Sequence, residues 1–526
     1  MAHLRTPVPG RRRGPIRRII SAVLLAALLP AGAACPSGAA GEAGTPFASC
    51  ITGREEIRAL TAGKTEELFE TRILVNNTPV IYDEQSNTMY CPLAGGSLQD
   101  ASVSVGDARL CAVADPASAN GLSFDAVIVS DWYYFESKLV FTPLPVLHIT
   151  GVEGKIRSDY VPVRITLYDN SGKEIRTVSS DAKIRIRGKS SRSDKKKNYR
   201  IQLLTESGGK NKKNLLGLRK DDDWVLYAAY NDPEKIRNVF SSNLWFTSCA
   251  RSNPYGVTAG MEYRFLELFQ DNRYQGLYAL GFPIDDRQFK SGSGKCSGLF
   301  EVSYHKGVEA DAELNDEPLP GYDLKTKDCD EKALWRRLRE TFRTANTADS
   351  PSEVWECIDR GSAIDIFLFC GLTQAVDTAN KNTFRNMYLA LMDDGRMLYM
   401  PWDLDQTFGA AWVGKKEKNK TATYSMKPSY NVTMKQNPVY RFLGADGMRE
   451  AVRERYRLLR RNEWSEESIS AALDEYERLI YGSGAYEREK ERWPDGTYSE
   501  EDVRLDRFRE YVIQRLSFMD AWVDGL

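Results

Sequence analysis

Short runs rich in Val, Ile, Leu, Phe and Tyr recur among polar stretches early in the chain, at residues 72–75, 79–82, 102–105, 124–129 and 139–142. Short runs of β-branched, aromatic and other apolar residues bounded by turn signals suit strands, so each stretch is expected to be one. Asn76-Asn77 and Gly95-Gly96 supply turn chemistry between them, and residues 47–143 are expected to form a small β-rich domain. Further strands are expected at 160–168, 182–187 and 198–204, with a pair flanking the turn inside 263–280. The spacing becomes three and four residues at 335–342, at 364–375 and through most of 447–522, where charged residues interleave with Leu, Ile, Tyr and Trp; these are expected helices. No internal repeat is visible. The pattern predicts an α+β fold with a helical C-terminal part, preceded by the β-rich domain.

The N-terminus follows a different rule. A basic stretch with Arg11, Arg12, Arg13, Arg17 and Arg18 precedes an apolar run at 19–29, then Pro30 and small residues. That run is too short to span a bilayer and fits a secretory signal peptide over residues 1–34, followed by a linker at 35–46. The expected location is therefore extracytoplasmic, secreted or at the cell surface. Cys35 stands where a lipoprotein would carry its lipid, which is the alternative to free secretion and the only membrane attachment expected. Eight cysteines follow it, an even number that allows disulfides in an exported chain; Cys370, inside an apolar run, also suits a buried thiol.

Composition narrows the chemistry. At 526 residues the chain has room for about two to four domains. Lys+Arg (72) and Asp+Glu (73) cancel to a net charge of -1, so no overall basic field exists to hold a nucleic-acid backbone. The three histidines, His3, His148 and His305, are too scattered for a multi-His zinc site. Chemistry is left to carboxylates, amides and lysines.

The densest candidate segment is 364–409. An apolar helix-like run ends at Asp377; a polar loop, DTANKN, leads into two strand-like runs, NMYLAL and RMLYM, around an Asp-Asp-Gly turn, and PWDLDQTFG follows. Asp377 and Asn382 have the D-x4-N spacing of a phosphotransfer catalytic loop, in which the Asp orients an acceptor hydroxyl and the Asn oxygen holds a divalent cation. In an alternative register Asn386 takes the place of Asn382. Asp403 or Asp405 would add a carboxylate to the metal, and oxygen ligands of this kind suit Mg²⁺, Mn²⁺ or Ca²⁺. Upstream, KIRIRGKSSRSDKKKNYRIQL reads as strand, turn and strand. Gly188 permits a tight turn, Lys189, Ser190 and Ser191 offer donors to phosphate, and Lys196 or Lys197 enters the returning strand. It is not a Walker A motif, because the first glycine is missing.

RGKSS with KKKNYRIQL, LLGLRKDDDWVLYAAYNDPEKIRN, ELFQDNRYQGLYAL, DTANKN, PWDLDQTFG and the final ERWPDGTYSEEDV occur in the order seen in the spore-coat protein H (CotH) kinase family, which the chain resembles over residues 144–526. The resemblance implies an atypical protein-kinase-like fold that transfers the γ-phosphoryl group of ATP, with a divalent cation, to Ser or Thr of secreted or surface proteins. It implies Asp377 as catalytic aspartate, Asn382 and Asp403 as metal ligands, and Asp405 as a further or supporting ligand. Arg187, Gly188, Lys189, Ser190 and Ser191 would cover the phosphates. Lys196, or Lys197 in the other register, would contact them, with Glu267 as the ion-pair partner of that lysine. Trp402 would touch the nucleotide or lie in the core, and the lysines of 414–427 would receive an acidic substrate. One departure stands out: Gly281-Phe282 follows the strand where family members often carry Glu. Two other classes stay open, a non-catalytic surface or wall-associated binding protein on a pseudokinase scaffold, and a glycosidase using Asp403 or Asp405 with a distant Glu.

Overall fold

The computed structural model describes residues 44–526 except 70, 97, 99, 100, 115–119, 290–294, 304–313, 381, 382, 413–420 and 500–504. The signal-peptide segment, Cys35, His305, Asn382 and most of the 414–427 lysines therefore lie outside the described residues.

The first part, from Thr45 to Thr142, is built mainly from strands, with one short α-helix and two 3-10 segments among its described residues. Thr45–Pro46, Ser102–Ser104, Leu74–Val75 and Thr78–Pro79 form one sheet. Ile81–Asp83, Thr88–Pro92, Tyr133–Thr142, Ser123–Val129 and Arg109–Ala114 form the other. Between them Phe47, Phe124 and Phe141 meet edge to face at 4.8 to 5.9 Å, the offset geometry that aromatic rings prefer in a core. The expected strand at 72–75 shrinks to Leu74–Val75, while Arg109–Ala114, rich in small residues, was not anticipated.

A closed barrel follows: β1 (Val146–Thr150), β2 (Val161–Asp169), β3 (Arg176–Arg187), β4 (Asn198–Leu204), β5 (Asp223–Tyr227), β6 (Tyr263–Gln270) and β7 (Arg273–Gly281), in the order β1-β2-β3-β4-β5-β7-β6. Neighbours are antiparallel except β1 and β6, which close the ring in parallel. Tyr90 of the first part stacks on Tyr274 of β7 at 5.1 Å, and Asn170 donates to the carbonyls of Leu93, Thr142 and Leu144, so the two parts share a buried polar joint. His148 is spent here: its Nε2 meets the Asp271 carbonyl at 2.9 Å, and burial lowers its pKa.

Beyond the barrel, β8 (Cys296–Val302) lies between β9 (Tyr322–Leu324) and the hairpin β10 (Met387–Met392) and β11 (Met397–Pro401). The hairpin is the one expected from the sequence. Helix α1 (Arg237–Ser248) packs on barrel strand β6, and α2 (Glu331–Thr347) and α3 (Arg360–Thr373) cover the sheet. Residues 362–373 of α3 are all buried, as an evenly apolar helix requires. The C-terminal part is helical as expected: α4 (Met448–Arg461), α5 (Glu466–Tyr476), α6 (Ala485–Arg492) and α7 (Asp506–Asp524). Among the described residues no helix is long and apolar enough to cross a membrane.

The disulfide expectation is corrected. All eight described cysteines are free thiols, and Cys50, Cys91, Cys111, Cys249 and Cys370 are buried. They fill the interior as small apolar groups, and burial pushes the thiols of Cys91, Cys249 and Cys370 upward, away from the reactive thiolate.

Candidate functional site

One wall of the site is the turn between β3 and β4, where Arg187 pairs with Asn198. Gly188 has φ +104°, a conformation in which a side chain would collide with Ser191 Oγ. Asn198 fixes the turn from beneath: its Nδ2 donates to Ser191 Oγ at 3.1 Å and its Oδ1 accepts from Ala228 N at 2.7 Å. Ser190–Ser193 winds into a short 3-10 turn, and Lys197 Nζ, just before β4, donates to the carbonyls of Arg192 and Asp194, clasping the turn.

The opposite wall is built by the end of α3 and by the hairpin. Gln374 stops the helix in a left-handed conformation, φ +52°. Asp377 follows, with Arg385 ion-paired to its Oδ1 and Asn386 Nδ2 donating to its Oδ2 at 2.8 Å. The Asn386 carbonyl accepts from Trp402 N at 2.9 Å, tying the polar loop to the turn after β11. Asp403 sits in that turn at φ +56°, which is costly for a residue with a side chain and persists only where the surroundings impose it. Those surroundings come from the DPEKIRN stretch. Asn238 Oδ1 accepts from Leu404 N at 2.9 Å, Ser241 Oγ meets Thr407 Oγ1 at 2.9 Å, and the buried Arg237 donates to the carbonyls of Thr407 and Phe408.

Arg187, Gly188, Lys189, Ser190, Ser191, Asp377, Asn386, Asp403 and Asp405 all line one cleft of about 1440 Å³. Desolvation by the cleft walls pushes the carboxyls of Asp403 and Asp405 upward, although Asp403 is exposed to solvent and Asp405 half-buried. Arg187 and Arg385 draw Asp403 back, whereas Asp403 and Asp232 push Asp405 further. Residues 184–519 match the family model described as CotH kinase protein. The chain belongs to that family. A search of the curated proteins finds no match.

The family match embraces every part of the cleft, but the lysine assignments need correction. Lys196 is fully buried and does not line the cleft. Its Nζ donates to Glu489 Oε1 at 2.7 Å and to the carbonyls of Ala228 and Leu277. Glu267 is not its partner: it accepts from Arg488 at 2.8 Å and from Tyr274 Oη at 2.7 Å. The reason lies in the sheet. β5 is short and pairs with β7 only from Ala279 onward, so the exposed edge at 274–277 needs other partners. Helix α6 and the residue after it supply them: Glu489 accepts from Leu277 N at 2.9 Å, Arg492 donates to the Tyr274 carbonyl and Trp493 Nε1 to that of Gln275.

Trp402 is half-buried, with Arg187 over its ring at 5.2 Å and Tyr388 edge-on at 5.6 Å, so it serves both core and cleft. Among the described residues no three His, Cys, Asp or Glu side chains gather as a metal cage. The donors present are the carboxylates of Asp403 and Asp405 and the Asn386 amide. This all-oxygen set fits a Mg²⁺-type ion, which is usually held by one or two carboxylates with water and phosphate completing its shell. The residues missed from sequence, Asn238, Arg237, Asp232 and Arg385, are polar positions in short charged runs. Their signal was an excess of charge in a stretch otherwise fit for burial.

Proposed function

We propose that this chain is an exported atypical protein kinase that transfers the γ-phosphoryl group of ATP to a Ser or Thr hydroxyl of secreted or surface proteins. The observation that carries the reading is the convergence in one cleft of Arg187 to Ser191, Asp377, and the Asp403–Asp405 turn, drawn from three distant stretches of a chain in the CotH kinase protein family.

In this reading the Arg187 guanidinium, the hydroxyls of Ser190 and Ser191 and the Lys189 ammonium bind the phosphates. Asp377 orients the acceptor hydroxyl and takes its proton as the acceptor oxygen bonds to the γ-phosphorus. The bond from that phosphorus to the β-phosphate oxygen breaks, and its electron pair leaves with ADP. Asp403, Asp405 and the Asn386 amide would hold the divalent cation, which supplies charge neutralisation at the phosphates. Asn386 replaces Asn382 in this role because it is the described asparagine that touches Asp377. The catalytic contribution is mainly positioning.

Incubating the purified mature protein with γ-labelled ATP and Mg²⁺ or Mn²⁺, alone and as Asp377→Asn, tests this. Label is expected on the wild type and not on the variant. The alternative, a binding protein on a pseudokinase scaffold, draws on the fact that both Asp377 oxygens are engaged by Arg385 and Asn386. Absence of label from both proteins would favour it.

A further inference from the structure

Four cationic side chains line the cleft among the described residues: Arg187, Lys189, Arg385 and Lys427. Their settings differ. Arg187 stacks on Trp402 at 5.2 Å. Lys189 is exposed, with its ammonium 4.0 Å from Asp323. Arg385 alone is in contact with Asp377: it pairs with Oδ1 and its Nε donates to the Asp377 backbone carbonyl at 3.0 Å. The charges of Asp403 and Asp405 also act on it. This guanidinium thus stands within the field of Asp377, Asp403 and Asp405 together.

That position is chemically specific. Any acceptor hydroxyl that hydrogen-bonds Asp377 must lie beside Arg385, and the phosphoryl group that it attacks must come within about 3.5 Å of the acceptor oxygen. In the structure, however, Arg385 pairs with the Asp377 oxygen that the hydroxyl needs. A guanidinium that holds a carboxylate can hold a phosphoryl group by the same planar fork of donors.

We infer that Arg385 exchanges partners during turnover, leaving Asp377 Oδ1 for the γ-phosphoryl oxygens of ATP, so that filling the cleft with nucleotide both frees the catalytic aspartate and places a positive charge on the group in flight. The inference rests on the kinase reading above. The exchange makes and breaks only hydrogen bonds and ion pairs. Arg385 keeps its proton throughout, while the acceptor proton passes to Asp377 as described.

The test uses the full mature chain as wild type, Arg385→Ala and Arg385→Lys, with ATP and ADP titrated separately by calorimetry in Mg²⁺, and label transfer from γ-labelled ATP to the chain itself or to casein. Arg385→Ala should bind ADP within about 2-fold of wild type but ATP roughly 10-fold more weakly, and transfer should slow by about 10³-fold or more, the lower end for an arginine on a transferring phosphoryl group. Arg385→Lys should recover part of both. An unchanged ATP-to-ADP affinity ratio and rate would overturn the inference, as would a faster rate in Arg385→Ala, which would make the arginine a mask only. Should Arg385→Ala lose ADP as well, Arg385→Lys decides: retained ADP binding with a wild-type ATP-to-ADP ratio and rate overturns the inference. A wild type that binds neither nucleotide removes the kinase reading itself, an outcome distinct from a working wild type beside an unaffected variant.

Discussion

Replacing Lys196 with Met keeps the length of the aliphatic chain and removes its charge, and two assignments of this lysine then make opposite forecasts. As a phosphate ligand it would be dispensable for folding and essential for nucleotide. In the structure its Nζ has three partners, the carbonyls of Ala228 and Leu277 and the carboxylate of Glu489, and neither side chain of the ion pair has any exposure. Removing one member of a buried pair costs about 3–5 kcal/mol because the other charge is left without compensation. The two carbonyls lose a charged donor as well, so about 4 kcal/mol is a conservative figure against a typical stability of about 5–15 kcal/mol. With an m-value of about 3 kcal/mol/M, the urea midpoint should fall by roughly 1 M or more. Equilibrium unfolding of Lys196→Met, Glu489→Gln and the double variant checks this. Each single variant should lose stability, and the double variant should lose less than the sum, because it leaves no lone buried charge. ATP affinity, measured by calorimetry on folded protein, should stay within about 3-fold, since the lysine does not line the cleft. An unchanged urea midpoint together with lost ATP binding would refute the reasoning and restore Lys196 as a nucleotide ligand.

Asp377→Asn should keep nucleotide affinity and lower the transfer rate by roughly 10²-fold or more, the scale for a positioned base, whereas Asp403→Ala should lose cation-dependent ATP binding in titration calorimetry. Asn386→Ala should impair transfer and Asn382→Ala should not; the reverse outcome in the same labelling assay would return the site to the D-x4-N register. Burial, with the charge of Glu234, pushes Asp232 up to about 7, so its folded pKa lies above the ordinary carboxylate value and the folded state holds a proton that the unfolded chain has released. The stability it contributes is present in acid and is lost as pH rises through about 7. Asp232→Asn should therefore gain on the wild type in unfolding free energy between about pH 5 and 7.5, and a constant difference would contradict the assignment. Thiol titration of non-reduced protein in denaturant should find all eight cysteines after Cys35 free, with the five buried ones unreactive in the folded state.

The strands that carry clean alternation, such as Asn198–Leu204, were legible because one face meets the barrel core and the other meets water. Val146–Thr150 and Cys296–Val302 were not. The first lies in the joint between the two parts of the chain, where Val146 and Leu147 are both buried and alternation is lost. The second follows a Gly/Ser-rich stretch that reads as loop. The hairpin Met387–Met392 and Met397–Pro401 is buried throughout, so it was found through its Asp-Asp-Gly turn rather than its period.

The site divides along a similar line. Asp377, Asp403 and Asp405 could be picked out because each stands in a short stretch whose order, of helix end, polar loop, hairpin and acidic turn, is itself local. What holds them is not local. Asn238 reaches the Leu404 amide across 166 residues, and Glu489 reaches Lys196 across 293. No spacing rule covers such pairs, because each is decided by a vacancy elsewhere: a turn forced to a positive φ at Asp403, and a strand edge at 274–277 that β5 is too short to cover. The error over Lys196 has this origin. A lysine after a Gly-Lys-Ser-Ser turn has the right chemistry for a nucleotide ligand, but here it lies in the bend before β4, with its ammonium directed to that uncovered edge and away from the cleft. An acid from a helix nearly three hundred residues later is what completes it there. Helix α6 is thus a structural part of the wall that carries the Arg187–Ser191 turn, and the lysine that seemed to belong to the ligand belongs to the joint that keeps the wall in place.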